Sequence, residues 1–359
     1  MAAAASLQVF GIKPWKRWQI DCFLRPLHPR IHYCRDAAQA LRRQARYGGA
    51  IAVWAAREPD GFAEAAAAQD AAVLRIEDGF LRSVGLGSNH VGGASLVVDA
   101  VGIYFDPRRP SALENLLRDD ACDAALLARA AALRQLLVGR GLTKYNVGTG
   151  SVEIGGAGRR RVLVPGQVED DASIRWGAPG VKTNLELLRA ARAAEPDAWI
   201  VYKPHPDTEA GTRAGRLDDA EALRHADQVV RGVSAAALFP QIDAVHTMTS
   251  LLGFEALLRG VAVTTWGQPF YAGWGLTEDR LPPPRRGRPL SLDELVAGAL
   301  IRYPLYVDPR SGRPCEAEDV ARGLAGREAS AASQSGAARR IARLCRGLMR
   351  SWISTHVHR

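Results

Sequence analysis

The chain has 359 residues, 47% of them hydrophobic, and a formal net charge of +9. This length and apolar content predict two domains. Six arginines and no acidic residue lie between Ala329 and Arg359, and subtracting these six from +9 leaves only +3 for the rest of the chain. That remainder is too small for a nucleic-acid groove running across the fold, so no nucleic-acid partner is expected.

The five cysteines are scattered along the chain, and their spacing matches neither a metal site nor a disulfide framework. The first residues do not read as a secretory signal, and no run of about 18 apolar residues occurs. These patterns favour a cytoplasmic protein in a reducing compartment.

Short apolar runs alternate with Ala/Leu/Arg-rich stretches, which is typical of parallel sheets covered by helices on both faces. The predicted strands are residues 51–54, 72–76, 95–99, 161–164, 199–203, 244–247 and 262–265. The predicted helices are residues 36–47, 111–117, 124–139, 184–195 and 250–259. The expected fold class is therefore α/β, with two Rossmann-like domains.

The glycine-rich segment 148–158 predicts a linker between the domains. We therefore expect an N-terminal domain over residues 1–150 and a C-terminal domain over residues 151–310. A helical segment over residues 290–303 is expected to cross back onto the first domain. Residues 311–359 would then hold crossing or linker sequence and a basic tail.

The segment RIEDGFLRSVGLGS, residues 75–88, ends a predicted strand with an acidic pair. Its glycines do not match the dinucleotide fingerprint, so the segment does not indicate a nicotinamide enzyme. Glu77 is a candidate acid/base or acceptor-binding group, and Arg82 is a candidate partner for a carboxylate or phosphate. The alternative is a tight structural turn with a local ion pair.

The segment VPGQVEDDASIRWG, residues 164–177, follows the first predicted strand of the second domain. It contains three consecutive acids, Glu169, Asp170 and Asp171, beside Gln167 and Ser173. A carboxylate on a loop at the carboxyl end of a strand can attack an anomeric carbon while amide and hydroxyl neighbours hold it. A solvated acidic turn is the commoner fate of such a run, and the pattern alone does not choose among the three acids.

The segment IVYKPHPD, residues 200–207, is an apolar strand that ends at prolines. Lys203 and His205 follow at its carboxyl end, where ligands bind in open α/β sheets. The prolines stiffen the turn, so that His205 and Lys203 could contact a phosphate. A loop lysine and a loop histidine with only local bonds fit the pattern equally well.

The segment HTMTSLLGFEALLRG, residues 246–260, is a strand end followed by a capped helix. Thr249 and Ser250 are cap candidates, and the helix start offers N–H groups to a phosphate. Glu255 lies more than one turn inside the helix. It either accepts hydrogen bonds from ribose hydroxyls or is a solvated helix residue.

The tail segment AARRIARLCRGLMRSWI, residues 337–353, places apolar side chains on one helical face and most arginines elsewhere. This pattern is typical of a helix that lies on an anionic membrane surface. A terminal helix packed on the protein with its arginines in solvent is the alternative.

Seven strings together resemble the retaining β-Kdo transferases of bacterial capsule assembly, the KpsC-type proteins. The resemblance covers residues 52–305 and is closest to the second of the family's two tandem modules. The strings are RIEDGFLRSVGLGS, SLVVDAVGIYFD, TKYN, VPGQVEDDASI, IVYKPHPD, HTMTSLLGFEALLRG and QPFYAGWGL.

The resemblance implies two Rossmann-like domains facing a cleft in the GT-B manner, CMP-β-Kdo as the donor, and net retention of configuration. By the family pattern Asp171 is the nucleophile that forms a glycosyl-enzyme adduct, and Glu77 lies on the acceptor side. His205, Ser250 and Glu255 would bind the CMP moiety. Lys203 would contact the CMP phosphate. Groups for the sugar carboxylate or a phosphate are Gln167, Ser173, Arg82 and Lys144. No cofactor or metal is expected, and the chain has no DxD motif.

The implied acceptor is a phosphatidylglycerol-type or Kdo-terminated glycolipid at the inner membrane, with other capsule biosynthesis proteins as potential partners. A lone module is expected to make one kind of β-Kdo linkage. Two other functions fit the same strings or fold: a nucleotide-sugar-binding scaffold without turnover, and a sugar-nucleotide epimerase.

Overall fold

The computed structural model describes residues 6–81, 93–143 and 150–332, and for residues 326–332 only the backbone. These residues form two compact units. The first unit consists of the described residues up to Val101 and from Tyr303 onward, and the second unit is Gly102–Arg302. Each unit contains one six-stranded sheet.

The sheet of the first unit is mainly parallel, in the order β12-β5-β4-β3-β1-β2. Its antiparallel pairs are β4 with β5 and β5 with β12. The strands are β1 (Ser6–Phe10), β2 (Arg30–Tyr33), β3 (Ala50–Trp54), β4 (Val73–Asp78), β5 (Ser95–Asp99) and β12 (Pro304–Tyr306). The helices are α1 (Arg17–Leu24), α2 (Ala37–Tyr47), α3 (Phe62–Ala67) and α13 (Ala317–Ala332).

Helices cover both faces of this sheet. Ala52 and Trp54 of β3 pack in one core cluster with α1, whereas the alternating residues Ile51 and Val53 pack in another with α2 and α3. Because successive strand residues point to opposite faces, a strand covered on both sides is continuously apolar, as β3 is. Asp36 is the N-cap of α2, and its carboxylate accepts a hydrogen bond from Gln39 N.

The sheet of the second unit is entirely parallel, in the order β11-β10-β9-β6-β7-β8. Its strands are β6 (Arg161–Pro165), β7 (Trp199–Lys203), β8 (Gln228–Val229), β9 (Ala244–Thr247), β10 (Ala262–Thr265) and β11 (Glu278–Asp279). Its longer helices are α4 (Ala112–Asp119), α5 (Ala124–Gly139), α6 (Ala172–Gly177), α7 (Asn184–Ala194) and α11 (Leu251–Leu257). The shorter ones are α8 (Pro206–Glu209), α9 (Asp219–Ala222), α10 (Ala235–Leu238) and α12 (Leu292–Val296), which is followed by a π-helical turn at Ala297–Arg302.

The expected α/β class with two Rossmann-like domains is confirmed by these two parallel-dominated sheets. Five strands were not predicted: β1, β2, β8, β11 and β12. The apolar run of β1 is interrupted by Gln8, which is buried and donates a hydrogen bond to Ser6 Oγ. The other four are short or polar strands at or next to sheet edges, where the apolar signal is weak.

The units divide the chain differently from the predicted boundary near residue 150. The helices α4 and α5 belong to the second unit, where α5 packs against α12, and Arg134 pairs with Asp293 at 2.8 Å. An Ala/Leu-rich helix carries no sign of which sheet it will cover. The segment predicted to cross back, residues 290–303, packs mostly within the second unit, and the return to the first sheet is made by β12. Tyr303, just before β12, donates a hydrogen bond to Asp99 Oδ2 at 2.7 Å.

A buried ion network fastens α4 to the segment around Arg286. Glu114 of α4 is only 3% exposed and accepts hydrogen bonds from Arg286 Nε at 3.0 Å and Arg285 Nε at 2.7 Å. Arg286 is itself 7% exposed and also donates to the carbonyl oxygens of Pro269 and Ala272. Two cations thus share one buried carboxylate.

His246 of β9 is a buried histidine whose protonation should weaken the fold. Its Nδ1 lies 3.4 Å from the donor Trp266 Nε1, Glu195 Oε1 is 3.8 Å from its Nε2, and no described residue hydrogen-bonds that Nε2. Burial, and then the charges of Arg280 and Arg160, lower the pKa of His246 to about 4. The neutral ring is therefore the form that the fold accommodates.

We expect stability to fall as the pH drops below about 6.5, the pKa of an unfolded histidine, and the His246 contribution to be lost by about pH 4. The loss is roughly 3 kcal/mol, because the unfolded chain binds the proton over that interval and the folded chain does not. The thermal midpoint of wild type should therefore fall more steeply over this range than that of His246→Asn, whose amide oxygen replaces the Nδ1 acceptor. Equal slopes for the two proteins would contradict the assignment.

Candidate functional site

Three neighbouring parallel strands of the second unit end at the same edge of the sheet. The order β9-β6-β7 brings together the loops that follow Thr247, Pro165 and Lys203. The carboxyl edge of an open parallel sheet is where ligands bind in such folds. Three of the predicted motifs therefore meet at one place, although they are far apart in sequence.

Gly166 allows the loops after β6 and β7 to touch. A Cβ at this position would lie 2.8 Å from Tyr202 Oη, 3.1 Å from His205 N and 3.2 Å from the Cα of Pro204. Two of these three atoms belong to the backbone, which cannot move aside as a flexible side chain would. Gly166 N also donates to Lys203 O at 2.8 Å. The glycine of VPGQ thus fixes where His205 stands relative to the acidic loop.

The three consecutive acids have different partners. Glu169 Oε1 accepts a hydrogen bond from Asn184 N at 2.8 Å, and the exposed Asp170 pairs with Arg213 at 2.9 Å. Asp171 is the N-cap of α6, and its Oδ1 accepts from Ser173 N at 3.0 Å and from Ser173 Oγ at 2.8 Å. No described residue donates to Asp171 Oδ2. The carboxylates of Glu169 and Asp170 thus bind other residues of the second unit, whereas that of Asp171 accepts hydrogen bonds from described residues through one oxygen only.

A chain of hydrogen bonds leads to Asp171 from the neighbouring strand loops. Gln167 Nε2 donates to Thr249 Oγ1 at 3.0 Å, Thr249 Oγ1 donates to Ser173 Oγ at 3.3 Å, and Ser173 Oγ donates to Asp171 Oδ1. Every donor in this series points toward the carboxylate, so each bond polarises the next. The arrangement orients the Asp171 carboxylate by groups that are fixed elsewhere in the sheet.

Gln167 is the centre of that arrangement and is only 6% exposed. Its Oε1 accepts from Thr247 Oγ1, Thr249 N and Ser250 N, at 3.2, 3.0 and 3.1 Å. One amide therefore joins the loop after β6 to the start of α11. Asn184 joins the same loop to the start of α7. Its Oδ1 accepts a hydrogen bond from Gln167 N, and its Nδ2 donates one to Gln167 O.

The start of α11 is packed closely against Tyr271. Ser250 is the N-cap, its Oγ accepts from Leu252 N at 3.2 Å, and its carbonyl accepts from Tyr271 Oη at 2.5 Å. A Cβ on Gly253 would lie 2.3 Å from Tyr271 Oη, so glycine is needed where the helix passes the ring. Glu255 is buried rather than solvated, and its backbone oxygen accepts from Arg259.

Lys203 and His205 follow β7. Burial lowers the pKa of Lys203, and the charge of Glu209 partly opposes that shift. His205 caps α8, with Nδ1 accepting from Asp207 N at 3.1 Å. Because Nδ1 is an acceptor, the neutral ring carries its proton on Nε2, which is then the nitrogen able to donate to a phosphate.

The other predicted residues belong to the first unit or fall outside the described residues. Glu77 is in the first unit, at the carboxyl end of β4, and its Oε1 accepts from Asp78 N at 3.1 Å. Asp78 pairs with Lys16, whose Nζ stands 3.9 Å from the centroid of the Trp54 ring. Arg82, Lys144 and the tail segment 337–353 fall outside the described residues. The structure thus gathers Gln167, Asp171, Ser173, Lys203, His205 and Ser250 at one sheet edge of the second unit, with Glu255 inside the helix that starts there.

Sequence reasoning did not assign Thr249, Asn184 and Tyr271 to the site. Thr249 stood out only as a helix-cap candidate. Asn184 and Tyr271 act through partners that are 17 and 21 residues away in the chain, and no local pattern connects them.

Two overlapping stretches of the chain, residues 49–161 and 152–308, match the family described as capsule polysaccharide biosynthesis protein. The chain belongs to this family. In the parts of this family member that the structure describes, no helix is both long and apolar enough to cross a membrane.

The capsule polysaccharide modification protein LipA of Neisseria meningitidis serogroup A is 42% identical over 315 residues, which are 88% of this chain and 45% of LipA. The lipopolysaccharide-processing protein LpsZ of Rhizobium meliloti is 40% identical over 325 residues, which are 88% of this chain and 73% of LpsZ. This capsule-family chain therefore spans about half the length of LipA and about three quarters of LpsZ.

Two solved structures of Thermosulfurimonas dismutans KpsC share the fold. The β-Kdo 2,7 transferase is 35% identical with a TM-score of 0.73, covering 90% of this chain and 99% of that chain. The β-Kdo 2,4 transferase is 33% identical with a TM-score of 0.78, covering 90% of this chain and 98% of that chain. The resemblance to KpsC-type proteins drawn from the seven strings is confirmed.

Proposed function

We propose that this capsule-family chain is a retaining glycosyltransferase that moves β-Kdo from CMP-β-Kdo to a lipid-linked or Kdo-terminated acceptor. The observation that carries the proposal is the directed hydrogen-bond series from Gln167 through Thr249 and Ser173 to Asp171. It orients one carboxylate through a single oxygen, at the sheet edge where a nucleotide sugar would bind. The likeness to two β-Kdo transferases supports the donor and the class of reaction.

The proposed chemistry has two displacements. Asp171 Oδ2 bonds to the anomeric carbon of Kdo as the bond to CMP breaks, and the electron pair of that bond leaves on the CMP phosphate. An acceptor hydroxyl then displaces Asp171, which regains its carboxylate, and the hydroxyl proton passes to a base, for which Glu77 is our candidate. Two inversions give net retention. Since the anomeric carbon carries a carboxylate and no hydrogen, the transition state has oxocarbenium character that the Asp171 charge stabilises.

The CMP moiety would lie along the loops after β7 and β9. We assign Lys203 and His205 Nε2 to its phosphate, and Ser250 and Glu255 to the remainder of the nucleotide. The sequence assigns Gln167 and Ser173 to the sugar carboxylate or a phosphate. Their side chains, however, already bind Thr249, Ser250 and Asp171. We propose that both act by holding the nucleophile. Arg82 and Lys144 remain our candidates for the sugar carboxylate.

The proposed setting is linker synthesis for a capsular polysaccharide at the inner membrane, with a phosphatidylglycerol-type glycolipid as one acceptor. The family membership and the likeness to LipA and KpsC support that setting. Attachment of the basic tail to anionic lipid and contacts with other capsule biosynthesis proteins belong to the same proposal.

Product analysis separates this proposal from its two rivals. Mixed with CMP-Kdo and a Kdo-terminated acceptor, the chain is expected to yield one β-linked Kdo product and stoichiometric CMP. A non-catalytic scaffold would bind CMP and release nothing. An epimerase would change the sugar without extending the acceptor. Absence of an extended product with every Kdo-terminated and phosphatidylglycerol-type acceptor would overturn the proposal.

A further inference from the structure

We propose that one edge of the first unit is a docking surface for the anionic face of a lipid bilayer, an inference that rests on the proposed transfer to a lipid-linked acceptor. The surface consists of Arg30, His32, Arg43, Arg46 and Tyr47, and we call it the basic edge. Residues 13–47 contain nine lysines and arginines against two acidic residues, a net +7 in a chain of net +9. Positive charge is therefore concentrated in the part of the chain that includes this edge.

The five residues are brought together by the edge strand β2 and the helix α2. Arg30 and His32 are exposed on alternate positions of β2, the edge strand, whose one partner among the described strands is β1. Arg43 of α2 donates to Gln8 Oε1 at 3.1 Å, and Gln8 is the residue of β1 that pairs with His32. Burial, and then the charges of Arg43 and Arg30, lower the pKa of His32. The guanidinium carbons of Arg43 and Arg46 stand 5.1 and 5.2 Å from the centroid of the Tyr47 ring.

These cations are not neutralised by any side chain that the structure describes. Among the described side chains, Arg30, Arg43 and Arg46 form no salt bridge, and the one side-chain bond of Arg43 goes to the neutral Gln8 Oε1 at 3.1 Å. Some exposed arginines elsewhere in the structure are paired, as Arg118 is with Asp119. A cluster of partly exposed guanidiniums without an acidic partner among the described side chains attracts an anionic surface.

Exposed apolar side chains indicate a bilayer rather than a purely electrostatic partner. Tyr47 is 54% exposed at the end of α2, and Leu27, three residues before Arg30, is 58% exposed between two exposed prolines. Aromatic residues sit favourably at headgroup level, and arginines near an anionic surface gain about 1 kcal/mol each. A nucleic acid would use the cations and would leave Leu27 in water.

Flotation of the full chain with vesicles tests this surface. The probe is phosphatidylcholine vesicles with and without phosphatidylglycerol, and the variant is Arg30→Gln with Arg43→Gln and Arg46→Gln. The matched control changes three exposed arginines that form no salt bridge with described side chains: Arg140→Gln, Arg224→Gln and Arg313→Gln. Both triple variants lose three positive charges, so overall charge alone affects them equally.

We expect the edge variant to lose roughly tenfold or more of its partition onto phosphatidylglycerol vesicles, and the control to lose less than about threefold. Tyr47→Ser, which keeps every charge, should also weaken binding. An edge variant that partitions like the control, or a full chain that prefers single-stranded RNA to the vesicles, would overturn the inference.

A soluble acceptor separates this inference from the proposed function. Transfer of Kdo to a water-soluble, Kdo-terminated acceptor should be the same in the edge variant and in wild type, since the basic edge takes no part in the chemistry. If the proposed function fails, neither protein transfers Kdo, yet the difference in flotation remains. If the docking surface fails, both transfer Kdo and float equally.

Discussion

Asp171→Asn is expected to abolish Kdo transfer, by about a thousandfold or more, while the variant still folds and binds CMP. The amide oxygen can accept both hydrogen bonds from Ser173, so the cap of α6 is retained. A neutral amide, however, cannot trap the oxocarbenium carbon. Intact-protein mass spectrometry with CMP-Kdo alone gives the direct measurement: wild type should gain the mass of one Kdo residue, and the variant should not.

The neighbouring acid supplies the control for this experiment. Asp170 is exposed and its side chain pairs with Arg213, so Asp170→Asn removes one surface ion pair. Such a pair contributes little to stability, and we expect turnover within about twofold of wild type. A Kdo adduct that persists in Asp171→Asn and disappears in Asp170→Asn would transfer the role of nucleophile to Asp170.

Glu114→Gln is expected to cause the largest loss of stability of any change proposed for this chain, about 3–5 kcal/mol. Glutamine has nearly the same shape, yet it leaves Arg286 buried without a compensating charge and turns one acceptor into a donor facing a guanidinium. Urea unfolding measures the loss. Hydrogen exchange of the peptide Ala112–Asp119 tells whether the loss lies in the second unit.

The control for Glu114→Gln is a substitution in an exposed ion pair. Arg302 Nη2 lies 2.7 Å from Asp120 Oδ2, and both side chains are partly exposed. Asp120→Asn should cost less than about 1 kcal/mol, because solvent screens that charge. If Glu114→Gln costs no more than this variant, the backbone carbonyls of Pro269 and Ala272 are enough to hold Arg286, and the buried carboxylate is dispensable.

The location of the candidate site was predictable because it depends on strand ends. Apolar runs at residues 161–164, 199–203 and 244–247 marked three strands, and the carboxyl-edge rule then placed Asp171, His205 and Ser250 on the loops that follow. The adjacency of those three loops was not predictable. It depends on the strand order β9-β6-β7, which no local pattern encodes.

The choice of Asp171 among three acids illustrates the same limit. From the residues alone a solvated turn was the commoner outcome, and the resemblance to KpsC-type proteins favoured Asp171. The structure adds a physical distinction, because Glu169 and Asp170 bind Asn184 and Arg213. These partners are 15 and 43 residues away in the chain, beyond the reach of any helical or strand periodicity.

The charge distribution shows what a net value conceals. Subtracting the basic tail left +3, which suggested an ordinary surface for the remainder of the chain. That +3 is the sum of a net charge of +7 over residues 13–47 and a net charge of −4 over the other residues before Ala329. The fold brings Arg30 and Arg43 together, because β2 pairs with β1 and Arg43 of α2 donates to Gln8 of β1.

The return of the chain through β12 has a consequence for synthesis on the ribosome. The first sheet obtains its last strand, and Tyr303 reaches Asp99, only after residues 102–302 have been translated. The second unit is encoded without interruption, so all its strands have emerged while the first sheet still lacks its edge. The domain that is started first is thus completed last, which reverses the usual N-terminal-first order of folding during translation.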